Sequence, residues 1–169
     1  MNCYILAGGR SQRMGRSKRE LFLDRVVAAA RGAFDDVIVV DREFEGPHEH
    51  EGAVFGIEAA LRHAQARCFI LAVDYPLITT EVLAYLRDRG GVAVWRGQPQ
   101  PLCAVYDIAM LPLIRSRIDA RQFDIRGLIA TTIDESELRA RFAGEPLLNV
   151  NTPEDFEEYQ RYERVLASR

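Results

Sequence analysis

Along the chain, short runs of β-branched and apolar residues alternate with longer stretches whose apolar positions recur at helical spacing. The runs Cys3–Ala7, Val37–Asp41, Cys68–Val73, Val92–Trp95, Leu102–Tyr106 and Leu147–Val150 predict strands. Between them, Lys18–Arg31, Val54–Ala66, Thr80–Arg89, Ile108–Arg117, Ile125–Ala130, Glu135–Phe142 and Pro153–Ala167 predict helices. This alternation is the pattern of βαβ units, and the first three runs are nearly continuous in apolar residues, as strands covered on both faces are. The expected fold class is α/β with a mostly parallel sheet. No repeat, low-complexity tract or linker interrupts the pattern, so residues 1–169 are read as one domain.

In an open parallel sheet, ligands bind beyond the carboxyl ends of the strands. That rule makes the loops Gly8–Ser17, Arg42–Gly52, Asp74–Ile78 and Gly97–Pro101 the expected walls of one site. The last helix is announced by Thr152 as cap, Pro153 at the first helical position, and Glu154 and Asp155 against the positive helix end.

Composition narrows the class. At 169 residues the chain can bury roughly two-thirds or more of its unfolded surface without a disulfide or metal staple. Cys3, Cys68 and Cys103 are odd in number and each sits in an apolar run, which suits buried thiols in a reducing compartment. The N-terminus lacks a signal-peptide pattern, and no apolar stretch approaches membrane-spanning length, so a cytoplasmic protein with no membrane partner is expected. The net charge of −3 argues against nucleic-acid binding, which calls for a basic face. Lys18 is the only lysine in the chain, and it closes a glycine-rich loop.

That loop, Leu6-Ala7-Gly8-Gly9-Arg10-Ser11-Gln12-Arg13-Met14-Gly15-Arg16-Ser17-Lys18, follows a predicted strand and precedes a predicted helix. Gly8, Gly9 and Gly15 allow a tight turn and close backbone approach, so that amide groups and the helix N-terminus can face an anion. Its spacing is neither that of the dinucleotide fingerprint nor that of a Walker loop. Arg10, Arg13, Arg16, Lys18 and Arg19 give it a positive charge that an acidic protein otherwise lacks. Asp74 follows a predicted strand in Asp74-Tyr75-Pro76. It suits a magnesium ligand and equally a turn aspartate before proline. Asn149 and Asn151 have amide oxygens for the same ion, or for capping the last helix.

Taken together, these segments resemble the molybdenum cofactor guanylyltransferases within the larger nucleotidyltransferase group. The resemblance is carried by Leu6 to Ser11, Arg13 to Arg16 and Lys18; by Gly52-Ala53-Val54-Phe55-Gly56; by Ala72 to Pro76; by Gln100 to Tyr106; and by Asn149 to Asp155. It implies a three-layer, Rossmann-like fold of the nucleotide-diphospho-sugar transferase kind, GTP and Mg2+ as ligands, and a molybdopterin or molybdenum cofactor substrate. Its terminal phosphate would attack the α-phosphorus of GTP and expel pyrophosphate. Molybdoenzymes or their chaperones would be downstream partners.

By the same resemblance, Leu6, Ala7, Gly8 and Gly9 contact guanine and ribose, with Arg10, Ser11 and Gly15 completing the nucleotide loop. Arg13 clamps phosphate, Lys18 neutralises it, and Asp74 holds the metal. Gln100, Pro101 and Leu102 line the pterin side, while Asn149 and Asn151 act at the metal or shape the pocket. Attack by a phosphate anion needs alignment and charge stabilisation more than a strong base, which these residue types supply.

Two alternatives stand beside this reading. Relatives that use CTP commonly show Leu-Ala-Ala-Gly, where this chain has Leu6-Ala7-Gly8-Gly9. A weakened nucleotide- or cofactor-binding module would account for Ser17, where the family usually has aspartate. Asp41, Glu45, Glu49 and Glu51 are all candidates to read the base edge. His48 and His50 have metal-ligand chemistry but are assigned to a polar exposed loop, His63 to a helix surface, and Trp95 to packing at the sheet edge, with stacking on a pterin as its alternative.

Overall fold

The computed structural model describes residues 1–8, 18–41, 44 and 52–167. Its elements are β1 (Cys3–Leu6), α1 (Lys18–Arg31), β2 (Val37–Val40), α2 (Ala53–Ala64), β3 (Cys68–Ala72), α3 (Thr80–Arg89), β4 (Val92–Trp95), β5 (Gln98–Tyr106), a 3-10 turn (Ile108–Met110), α4 (Leu111–Asp119), β6 (Thr132–Ile133), α5 (Glu135–Arg141) and α6 (Pro153–Ala167). The six strands form one sheet in the order β2-β1-β3-β5-β4-β6. β2, β1 and β3 are parallel; β5 runs against both neighbours, and β6 is parallel to β4. The result is α/β and mostly parallel, as the alternation of runs implies.

The strands explain the layers through their two-residue period. Cys3 and Ile5 of β1, Phe69 and Leu71 of β3, and Cys103 and Val105 of β5 face Val26 and Ala30 of α1 and Leu83 and Leu86 of α3. Tyr4 and Leu6, Cys68 and Ile70, and Ala104 and Tyr106 face Val54, Ile57 and Leu61 of α2 and Ile114 of α4. A third apolar cluster joins Phe22 of α1 to Val73, Leu77, Leu148, Val150 and Tyr159 of α6. Each fully buried leucine, isoleucine or phenylalanine contributes about 1.5–3 kcal/mol, so α6 is fixed over the carboxyl edge by several such side chains.

Three expectations are corrected. Leu147–Val150 is not a strand: Leu147, Leu148 and Val150 are buried, but the segment joins no strand of the sheet among the described residues, and Val150 N bonds Asp74 O at 2.9 Å. Ile125–Ala130 is not a helix, because Asp124 accepts from Arg126 N at 2.9 Å in a side-chain-stabilised turn and Gly127 lies at φ 75°. Gly97–Pro101 is not an open loop. Arg96 and Gly97, at φ 51° and 69°, make a two-residue hairpin, and Gln98 to Pro101 prolong β5 along β4. Pro99 and Pro101 are tolerated there because β3 pairs with β5 only from Cys103 onward, so this stretch is locally an edge. The brief β6 escapes a periodicity reading at two residues.

Candidate functional site

Register brings Leu6, Val40 and Ala72 level at the ends of the first three parallel strands. Val73 N bonds Leu6 O at 3.2 Å and Ala7 N bonds Val40 O at 3.3 Å, prolonging the ladder by one step before the chains diverge. Asp74 therefore leaves the sheet at the point where β1 opens into its glycine-rich loop. Lys18, the first residue of α1, comes back to the same point.

Lys18 Nζ lies 3.1 Å from Asp74 Oδ2 and donates to Asn151 Oδ1 at 2.7 Å. Both charged side chains are largely covered, at 13% and 23% exposure. Burial pushes the Asp74 carboxyl above its ordinary range, opposed by the Lys18 ammonium. Asn151 Nδ2 donates to Asn149 Oδ1 at 2.6 Å, and Asn149 Nδ2 to Tyr75 OH at 3.4 Å. Tyr75 OH donates to Gln100 Oε1 at 3.0 Å. Residues from four separate parts of the chain thus form one connected polar cluster.

The asparagines are held from below. Thr152 Oγ1 accepts from Asp155 N at 3.2 Å, while Asp155 Oδ2 accepts from Thr152 N and Asn151 N at 2.9 Å each. This reciprocal cap fixes both the start of α6 and the backbone of Asn151. Thr152 and Pro153 occupy the cap and first-turn positions their chemistry suggests.

Of the residues expected at the site, Lys18, Asp74, Asn149, Asn151 and Gln100 meet in this cluster. Leu6 is buried, Ala7 is half-buried and Gly8 is exposed at the mouth of the loop. Pro101 contributes its carbonyl to Tyr106 OH at 3.0 Å, and Leu102 packs against the core. Gly9, Arg10, Ser11, Arg13 and Gly15 lie outside the described residues, as do Glu45, His48, Glu49, His50 and Glu51. Asp41 stands at the end of β2, 3.9 Å from Arg19. His63 pairs with Tyr4 OH at 2.8 Å, and Trp95 is buried with Nε1 on Glu145 at 2.9 Å. The sequence pattern does not single out Tyr75; its one signal is a phenol beside a candidate ligand in Asp74-Tyr75-Pro76.

A family model described as a MobA-like NTP transferase domain matches residues 3–135. The chain belongs to that family. This MobA-like NTP transferase is 34% identical to a "Probable molybdenum cofactor guanylyltransferase" of Pelotomaculum thermopropionicum over 89% of this chain and 87% of that one. It is 29% identical to a protein of the same name from Aquifex aeolicus, over 98% and 90%. Among solved structures, an Aquifex aeolicus protein matches with TM-score 0.71 and 27% identity, covering 89% and 93%. Molybdopterin-guanine dinucleotide biosynthesis protein A from Archaeoglobus fulgidus shares the fold at TM-score 0.78 over the whole of both chains, with 22% identity. The MobA-like transferase has no helix among its described residues long and apolar enough to cross a membrane.

Proposed function

We propose that this nucleotidyltransferase moves GMP from GTP to the terminal phosphate of molybdopterin or the molybdenum cofactor, releasing pyrophosphate. The observation that carries the reading is Lys18 and Asp74 held 3.1 Å apart, largely covered, at the mouth of the glycine-rich loop of a MobA-like domain. The names of its relatives supply the acceptor. An acceptor phosphate oxygen forms the new bond to the α-phosphorus as the bond to the departing pyrophosphate breaks. Lys18 bears on the phosphate charge that such a transition state concentrates, in a site where coverage strengthens its effect. Asn151 keeps the ammonium directed to the strand ends, and Arg13 is the further cation assigned to the phosphates. Leu6, Ala7, Gly8 and Gly9, with Arg10, Ser11 and Gly15, cradle the nucleotide, while Gln100, Pro101 and Leu102 face the acceptor.

The donor set fits magnesium. One carboxylate and two amide oxygens are hard ligands, and Mg2+ takes one or two carboxylates with phosphate oxygens and water completing its octahedron. Among the described residues no cluster of three histidine, cysteine or acidic side chains offers a competing metal site. Asp74 would hold the ion, with Asn149 and Asn151 beside it. When bound, magnesium withdraws charge from the phosphates being parted. A cytoplasmic location belongs to the same proposal, supported by three buried free thiols.

Thermal shift with each nucleotide and magnesium, followed by an assay for transfer of radiolabelled GMP to the acceptor, tests the reading. GTP is expected to raise Tm most, because a ligand bound only by the folded state stabilises it by mass action. A larger shift with CTP reassigns the base, and binding without turnover makes the protein a carrier.

A further inference from the structure

We infer that Tyr75 is a positioning residue, whose hydroxyl passes a hydrogen-bond direction fixed at the β4–β5 hairpin through Asn149 and Asn151 to Lys18. The inference deepens the reading above and rests on it for its kinetic arm.

Gln100 is the one buried amide side chain among the described residues. Its Nε2 faces the carbonyl oxygens of Gln98 and Trp95 at 3.0 and 3.3 Å. Carbonyls only accept, so the amide cannot turn over without setting oxygen against oxygen twice. Gln100 Oε1 must therefore face Tyr75. Tyr75 is buried, and that burial raises its phenol well above the ordinary value, so it remains neutral with a single hydrogen to give. The hydrogen goes to Gln100 Oε1 at 3.0 Å, which leaves the phenol oxygen free only to accept.

Asn149 consequently turns its NH2 toward Tyr75 and its oxygen toward Asn151. Asn151, donating to that oxygen at 2.6 Å, is left with its own oxygen toward Lys18, where it accepts at 2.7 Å. Every amide in the row has its orientation decided by the one before it. The last receives the ammonium on its oxygen; reversed, it would present an NH2 group to a cation. Tyr75 is the only member with a single donor hydrogen and no charge, and it joins the hairpin that carries Gln100 to the segment that carries both asparagines.

This arrangement gives the hairpin a means to act on the phosphate-binding lysine. A phosphate-bearing acceptor that engages Gln100 alters the acceptor available to Tyr75 and with it the hold on Lys18. Tyr75 touches no reacting atom in this scheme; it works through Asn149 and Asn151.

Lys18 allows a direct test, because as the only lysine it gives a single ε-methylene NMR signal in protein made with 13C-lysine. In the ligand-free full chain, Tyr75→Phe keeps the ring and removes the hydroxyl. It is expected to move the Lys18 signal, and in an Asn151→Ala background it should leave the signal where Asn151→Ala alone puts it. Gln100→Met, which breaks the row one step earlier and leaves the tyrosine in place, should move the signal as well, and stands in if Tyr75→Phe does not fold. In the transfer assay Tyr75→Phe should lower kcat about tenfold with KM for GTP within about twofold, the size that accompanies one displaced hydrogen bond. A Lys18 signal indifferent to both variants overturns the inference, and so does one that Tyr75→Phe moves equally in the Asn151→Ala background. Wild-type protein that transfers no GMP overturns the proposed function instead, since the ligand-free signal reads the hydrogen-bond row without turnover.

Discussion

Two charged clusters stand at the carboxyl edge of this sheet and are built on opposite terms. Around the β4–β5 hairpin, Arg96 bonds Glu145 at 2.8 Å and Glu158 at 2.5 and 3.0 Å. Arg139, 4.2 Å over the Trp95 ring, bonds Glu135 at 2.7 Å and Glu145 at 3.2 Å. Gly97 N closes the group by donating to Glu135 at 2.9 Å. Each guanidinium has two carboxylates, and hydrogen bonding holds Glu158 and Glu135 below the ordinary glutamate range. This cluster clasps a turn. Around Lys18 one ammonium meets one carboxylate and a row of neutral amides, and burial holds Asp74 above its ordinary range.

The pH dependence of the two therefore has opposite sign. Glu158, with its folded value lowered, stabilises fully above the ordinary glutamate range, and the benefit is lost as pH falls through the lowered value. Asp74, with its folded value raised, is most favourable to folding below the ordinary aspartate range, and that contribution is lost as pH rises through the raised value. The clasp contributes to stability at neutral pH, whereas the Lys18 cluster gives some up at Asp74.

The largest expected effect that can break this contrast is at Asp74. Asp74→Asn should cost about 10³-fold or more in transfer at fixed magnesium, since metal charge stabilisation is worth several kcal/mol, and the residual activity should need more magnesium. The same variant should hold or raise Tm at pH 7, the difference vanishing below the ordinary aspartate range. A lower Tm with full activity would make Asp74 a turn residue and dissolve the comparison.

Next in size, Lys18→Ala should lower turnover by roughly 10²–10³-fold while the fold persists, the scale for one preorganised charge-stabilising donor. Lys18→Arg should restore only part, because a planar fork does not replace a compact ammonium. Normal activity in the alanine variant would place Lys18 among surface charges.

The smallest effect sharpens the other side. Glu158→Gln should leave GMP transfer unchanged and cost up to about 1 kcal/mol of stability, the measured range for exposed pairs. For a chain of this length that is a fall of about 2–4 °C in Tm at pH 7. The loss should fade as pH drops through the glutamate range, opposite to Asp74→Asn; a fall that persisted in acid would mean that packing rather than charge holds the hairpin.

Much of this was legible in local pattern. β1, β2, β3 and β4, and the helices Lys18–Arg31, Thr80–Arg89 and Pro153–Ala167, follow from apolar period and end signals, which act within a few residues. Lys18 and Asp74 were readable as candidates because one closes a glycine-rich turn and the other ends a buried strand. The failures share a cause. Leu147–Val150 has the composition of a strand but is buried without a place in the sheet, and Ile125–Ala130 has helical spacing that a side-chain turn and Gly127 override.

The sequence by itself determined the alternation of strands and helices, and it pointed to the carboxyl edge and its residue types as the candidate site, since each depends on periodicity and on chemistry carried by single residues. Tertiary structure alone decided that Asn151 reaches Lys18 across 133 positions and that Tyr75 stands between Gln100 and Asn149. It also decided that burial, rather than an excess of positive charge, sets the Asp74 carboxyl. Those facts depend on desolvation and on which hydrogen-bond partners remain once the layers have packed, and neither quantity exists until the distant segments meet.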